Sequence, residues 1–293
     1  MEAVEIAAVT DPGSCRQVED LQREAWGMPD RGIVPAEQIR AVIHNGGLLL
    51  LATVDGAVVG FCYAFVGLDE GTPILCSHML AVRPAQQSQG IGRALKLAQR
   101  RHAAARGFAW ITWTFDPLQA RNAYLNLHRL GARARRYLVD HYGPMDDEIN
   151  RGMPTDRLLA EWPVTEDRTT LTASASDTVS GAADAPPAAD AASGAQTPPA
   201  AVPSDTPWLL PAAAGGRLLP GTENPDALRA DVALVAVPTD LDRLRAHGGD
   251  AVGAWRTALR SALSSAFDAG MTAVDLARDA RRDVAAYVLS RTP

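Results

Sequence analysis

Gly90 and Gly92 stand behind Gln87 in a short polar turn. The turn separates an apolar run, Ile74 to Val82, from a helical pattern opened by Leu95, Leu97 and Ala98. Pro84 breaks the apolar run, so the order reads strand, turn, glycine loop, helix. Such a loop aims backbone N–H groups at whatever lies over the helix start, where the first amides have no partner inside the helix. The helix dipole adds partial positive charge there. The chemistry expected is anion binding, and phosphate suits it best. Glycine matters because a Cβ would stand in the ligand's approach. A second chemical group, His78, lies on the same stretch ahead of Val82. An imidazole with an ordinary pKa of about 6.5 exchanges protons at neutral pH; a half-buried strand histidine satisfied by a neighbour is its other reading. Strand alternation places His78, Leu80 and Val82 on one face.

The spacing Gln87-x-x-Gly90-x-Gly92 is neither GxGxxG nor GxxxxGK[ST]. Led in by Val82-Arg83-Pro84 and followed by Leu95, it resembles the pyrophosphate loop of the GNAT superfamily of acyl-CoA N-acyltransferases. That family's pattern is Q/R-x-x-G-x-G/A behind a strand ending in Val-x-Pro. The resemblance implies an acyl-CoA cosubstrate, acetyl-CoA or another short acyl-CoA. Its pantetheine arm would pair with backbone groups of Leu80, Ala81 and Val82, as an added strand does. Gln87, Ser88, Gln89, Gly90, Ile91, Gly92 and Arg93 would hold the pyrophosphate. The N–H near Leu80 would polarise the thioester oxygen, and an amine that has given its proton to a base would attack the thioester directly.

His78-x-Leu80-Ala81-Val82 is similar to the segment that carries a proton-accepting histidine in the serotonin N-acetyltransferases, which makes His78 the candidate base. The paired first histidine of that family is Cys76 here. The superfamily's usual acid, a tyrosine ahead of the glycine that corresponds to Gly131, is replaced by Leu127. Tyr124, one turn earlier, is the candidate acid, with a packed aromatic as its other reading. A thiol with a pKa of about 8.5 is a tolerable leaving group without much protonation.

Trp113, Asp116, Asn122 and Asn126 are candidate substrate-binding residues, with helix capping and loop hydrogen bonding as the alternative. Tyr142, Gly143, Asp146, Asn150 and Pro154 to Arg157 are polar loop residues grouped with them. The segment TFDPLQARNAYLNLHRLGA, from Thr114, resembles an uncharacterised bacterial GNAT subgroup of predicted acetyltransferases. Some members sit beside relatives of N-acylamino acid racemase or succinylbenzoate synthase, which implies an amino-acid acceptor and an acetyl or succinyl donor.

The chain has 293 residues, 47% of them hydrophobic, and a net charge of −6. That charge gives no field favouring nucleic acid or acidic membranes, and the length suggests about two domains. No apolar run approaches the about 18 residues of a bilayer span, and the N-terminus lacks the basic region of a signal peptide. Cys15, Cys62 and Cys76 are odd in number and form no CxxC, which fits a reduced cytoplasm without a metal site. Lys96 is the single lysine among 28 Lys and Arg residues, which reads as base composition rather than function. The expected partners are a small-molecule amine and a second copy of the chain as a homodimer, with no nucleic acid and no membrane.

Further signals place the elements. Glu2 to Val9 reads as a strand ended by Asp11-Pro12-Gly13, Ser14 to Trp26 as a helix, and Pro35 to His44 as another. Leu48 to Val54 and Ala57 to Val66 flank Asp55-Gly56, a type I′ hairpin signal. A helix to Ala105 follows the glycine loop. Then come a strand (Ala109 to Phe115), a helix between Pro117 and Gly131, and strands Arg135 to Tyr142 and Arg157 to Trp162. This is the GNAT element order. It implies an α/β fold of α+β type, a mixed, mostly antiparallel sheet splayed at the central strand and flanked by helices. A small C-terminal α/β segment is added.

The expected domains are a GNAT N-acyltransferase domain (1–164), a disordered Ala/Pro/Ser/Thr-rich linker (165–207) and the C-terminal segment (208–293), docking on the first domain. The linker lacks the apolar bulk to offset its chain entropy. Beyond it, Asp231 to Val237 reads as a strand. Trp255, Leu259, Leu263 and Phe267 make one helix face, and Met271 to Leu276 and Val284 to Leu289 read as strands. Arg256 and Arg260 on that helix read as solvated. Two other functions stay open: a non-catalytic acyl-CoA-binding sensor or scaffold, and a protein N-acetyltransferase.

Overall fold

The computed structural model describes residues 4–145, 153–164, 204–213, 219–246, 250–278 and 284–292. Nearly all of the expected linker, with Asp146 and Asn150, lies outside the described residues. The described residues divide into two compact units, one of 4–113 with 163–164, the other of 114–145, 153–162 and the parts described from 204 onward.

The first unit contains β1 (Glu5–Ala8), α1 (Pro12–Trp26), α2 (Ala36–His44), β2 (Leu48–Val54), β3 (Ala57–Asp69), β4 (Thr72–Val82), α3 (Ile91–Ala105) and the start of β5 (Trp110–Phe115). The strands lie in the order β1-β2-β3-β4-β5, antiparallel up to β4 and parallel between β4 and β5. This is a mixed α/β sheet flanked by helices, the class implied by the sequence. Asp55 and Gly56 both take positive φ, 49° and 77°, as a type I′ turn requires. Asp11 opens α1 instead of only closing β1: its side chain accepts from the Ser14 N–H at 2.9 Å, with Pro12 in the first turn. The helix therefore starts earlier than the expected Ser14.

Leu49, Leu51, Phe61, Tyr63, Met79 and Ala81 line one sheet face and pack on Val18 and Leu21 of α1 and Ile39 of α2. Each fully buried side chain of this size contributes about 1.5–3 kcal/mol relative to exposure. On the opposite face, α3 buries Ile91 and Leu95.

The second unit contains α4 (Ala120–Ala123), β6 (Arg133–Leu138), β7 (Arg157–Pro163), β8 (Trp208–Leu210), β9 (Val232–Pro238), α5 (Leu241–Ala246), α6 (Ala251–Asp268), β10 (Thr272–Arg278) and β11 (Val284–Ser290). The strand order β7-β6-β10-β11-β9-β8 joins C-terminal strands to β6, through the antiparallel pair Ala273 and Ala134. The stretch expected as one helix up to Gly131 is α4 continued by a π-helical turn, Tyr124–Arg129, in which the Leu130 N–H bonds to the Leu125 carbonyl. Trp255, Leu259 and Leu263 of α6 are buried as the periodicity implies.

Candidate active site

The glycine loop is built from β4 outward. Gln87 turns its side chain back and donates to the Val82 carbonyl at 3.1 Å, tying the loop to the strand end. Ser88 and Gly90 take positive φ, 69° and 81°. For a serine that conformation costs about 1–2 kcal/mol, so the loop holds a strained shape that alternating backbone signs turn into a concave nest of amides. Gly90 is the N-cap of α3 and makes no side-chain cap bond. The leading amides of α3, from Ile91, Gly92 and Arg93, are thus those an anion would satisfy. A Cβ on Gly90 would meet no atom within 4 Å, and one on Gly92 would touch only Leu80 Cδ2 at 3.5 Å. The space over the helix start is open.

The edge of β4 comes next. The Arg83 N–H bonds to the Val59 carbonyl at 2.8 Å, so these residues form a hydrogen-bonded pair. Antiparallel alternation makes Phe61 and Ala81 the next such pair and turns the N–H groups of Leu80 and Val82 away from β3. On that other side, β4 pairs with β5 only at Leu75–Ile111 and Cys76–Thr112. Leu80 and Val82 therefore present free edge groups beyond the end of the ladder, whereas Ala81 faces β3.

His78 sits on a bulge. Met79 pairs with Tyr63 and Ser77 with Ala64, so His78 has no partner in the register. Its ring lies edge-on to Tyr63, with centroids 6.2 Å apart, and tilted against Phe65 at 5.6 Å. Tyr63 belongs to the face packed on α1 and α2, whereas Leu80 reaches Gly92 of α3. The expectation that His78 and Leu80 share a face is corrected here: the extra residue shifts the alternation. Packing around the imidazole pushes its pKa below the usual histidine value.

Sequence reasoning passed over Lys96. It is buried on α3, donates to Ser77 Oγ at 2.7 Å and lies 3.6 Å above the centre of the Trp113 ring. Burial without a carboxylate lowers its pKa to about 8.

In the second unit, Tyr124 stacks on His128 at 4.5 Å, and His128 Nδ1 lies 3.0 Å from Asp275 Oδ1. Asn126 donates to Asn122 at 3.2 Å. Asp116 receives both Arg256 terminal nitrogens and caps the Leu118 N–H. Asp156, fully buried, accepts from Tyr137 at 2.7 Å and from Arg260 at 2.8 and 2.9 Å. Burial would raise this carboxyl, but the bonds from Arg260 and Tyr137 hold it below its ordinary value. Arg256 and Arg260 are thus paired with carboxylates instead of solvated as expected. Tyr142 Oη lies 2.7 Å from Thr114 Oγ1. Among the described residues no three His, Cys, Asp or Glu side chains form a metal-holding group, and no helix is long and apolar enough to cross a membrane.

A mixed sheet whose fourth strand leads into an uncapped glycine loop offers a helix start suited to an anion. Residues 45–128 match the family model described as an acetyltransferase (GNAT) domain. Among solved structures the chain is similar to the ribosomal-protein-S18-alanine N-acetyltransferase of Escherichia coli. The identity is 19%, covering 56% of this chain and 95% of that one, with a TM-score of 0.46. It is also similar to an aminoglycoside 6'-acetyltransferase type Ii, at 20% identity over 55% and 98% of the chains with a TM-score of 0.45. Arabidopsis thaliana Naa50, in complex with a bisubstrate analogue, shares 16% identity over 54% and 97% with a TM-score of 0.44. No curated protein matches the chain in sequence.

Proposed function

We propose that the protein transfers an acyl group, acetyl or succinyl, from CoA directly to the amine of a small molecule, with an amino acid as the acceptor class. The observation that carries this reading is the loop Gln87 to Gly92, an uncapped helix start with positive φ at Ser88 and Gly90. The pyrophosphate would lie on the amides of Ser88 to Arg93, and the pantetheine arm along the outward N–H groups of Leu80 and Val82. The Leu80 N–H would polarise the thioester carbonyl. His78, exposed at its bulge and held by packing below the usual histidine value, would take the amine proton directly or through one water. Trp113 would meet the acceptor. In the second unit, both Asp116 oxygens are held by Arg256, which leaves this carboxylate occupied.

The test is thiol release from acetyl-CoA and from succinyl-CoA in the presence of a panel of amines and amino acids. Release that depends on a small primary amine supports the reading. Tight acyl-CoA binding without release to any amine would make the protein a sensor, and release only to peptide N-termini would make it a protein N-acetyltransferase.

A further inference from the structure

The parallel ladder of β4 and β5 ends at Cys76 and Thr112. Ser77 and Trp113, the next residue on each strand, are bridged by one group, the ammonium of Lys96. Its donors find Ser77 Oγ at 2.7 Å, Gln99 Oε1 at 3.4 Å and the Trp113 ring at 3.6 Å. All three accept, so the site is shaped for the protonated lysine. With Lys96 donating to its oxygen, Ser77 keeps its own hydrogen to give onward. Cys62 Sγ, 3.8 Å away, is a long and weak partner for that hydrogen. The groups facing Nζ are Cys62 from β3, Ser77 from β4, Trp113 from β5 and Gln99 from α3 itself. Of these only the Cys62 thiol titrates, and burial pushes it up.

We propose that Ser77 and Lys96 form a proton-delivering pair that protonates the sulfur leaving the acyl-CoA. The inference rests on the reading that acyl-CoA lies along β4. In the step, the amine nitrogen forms a bond to the thioester carbon and the carbon–sulfur bond breaks, its electron pair going to sulfur. Ser77 gives its hydroxyl proton to that sulfur, yielding the CoA thiol, and takes a proton from Lys96 Nζ. The neutral lysine is reprotonated from solvent, which has received the proton the amine lost. A lysine that has lost half its charge at about pH 8 is well matched to a thiol of pKa about 8.5. An arginine, with a pKa above about 12, would be a far poorer acid there.

Because Lys96 is the chain's single lysine, selective carbon labelling of lysine gives one side-chain resonance, and its titration can be followed in the full-length protein without turnover. The expected midpoint is near 8, shifted in Ser77→Ala; a midpoint at the ordinary lysine value of about 10.4 would overturn the proposal. In turnover, kcat of the wild type should fall as pH rises through that midpoint. Ser77→Ala should lower kcat about 10-fold to 10²-fold at neutral pH, leave the calorimetric affinity for acetyl-CoA unchanged and flatten the fall. Lys96→Met should do the same. A Ser77→Ala enzyme with wild-type kcat, or one that keeps the alkaline fall, would reduce the pair to a strand clamp and overturn the proposal. If the wild type binds acetyl-CoA but turns over no amine, the transferase reading fails instead, and the lysine titration still decides the state of the pair.

Discussion

Arg256 grips both carboxylate oxygens of Asp116, at 3.1 and 3.0 Å, across 140 residues of sequence. Both residues are almost out of solvent, 3% and 8% exposed. A pair this buried repays its desolvation only while both partners are present. Arg256→Ala should therefore destabilise the protein by about 3–5 kcal/mol, because it strands a buried carboxylate. The double variant Arg256→Met with Asp116→Leu should recover most of that loss. Urea unfolding followed by circular dichroism reads both; a single-variant cost under about 1 kcal/mol would show that water solvates Asp116.

Lys96 carries the opposite expectation for stability. Its pKa in the folded chain, about 8, lies below the unfolded value, so the folded state gives up this proton first as pH rises. Between about 8 and about 10.4 the unfolded chain holds more protons at this residue, and stability from this group rises with pH. Below that window the full cost of the buried ammonium is present. Lys96→Met should thus be more stable than wild type at neutral pH, with an advantage that shrinks above pH 8. Paired denaturation curves across the range check the difference. A difference that stays flat across this range would mean that the lysine titrates as it does in the unfolded chain.

How far the sequence reveals this molecule depends on how local each cause is. The turn at Asp55-Gly56 and the loop at Gly90 are legible because positive φ is a property of one or two residues. The α6 face of Trp255, Leu259 and Leu263 is legible because periodicity is local too. The bulge at His78 is different: it exists only against the register of β3, and no pattern inside β4 announces it. The π-helical turn at Tyr124–Arg129 likewise reads in sequence as plain helix. Arg256 reads as solvated in sequence because nothing near it in the chain shows that Asp116 lies opposite. β8 leaves no mark in the sequence because Trp208–Leu210 is too short to show alternation. The site follows the same rule. Its glycine loop could be read directly, while Lys96 becomes meaningful only when β4 and β5 are seen to part beneath it.

His78 offers a test in pH. Packing against Tyr63 and Phe65 lowers its pKa from 6.5. If it accepts the amine proton, kcat/KM should rise with pH through a midpoint below 6.5 and level off above it. His78→Ala should lower the rate by about 10²-fold and remove that rise, with acyl-CoA affinity untouched. An unchanged profile would leave His78 as a bulge residue and pass the proton to water.

The central claim is that the amides between Gln87 and Arg93 hold the phosphates of an acyl-CoA. Gly90→Glu addresses it most directly. The new side chain has room, since nothing lies within 4 Å of its Cβ, but it must adopt a φ of 81° and sets a carboxylate over the helix start. Isothermal calorimetry of acetyl-CoA binding to wild type and to this variant, with the folded state checked by circular dichroism, is the measurement. The account predicts that a folded Gly90→Glu protein loses about 10²-fold or more in affinity, because a like charge now occupies the phosphate position. A folded variant that binds acetyl-CoA as tightly as wild type would contradict it.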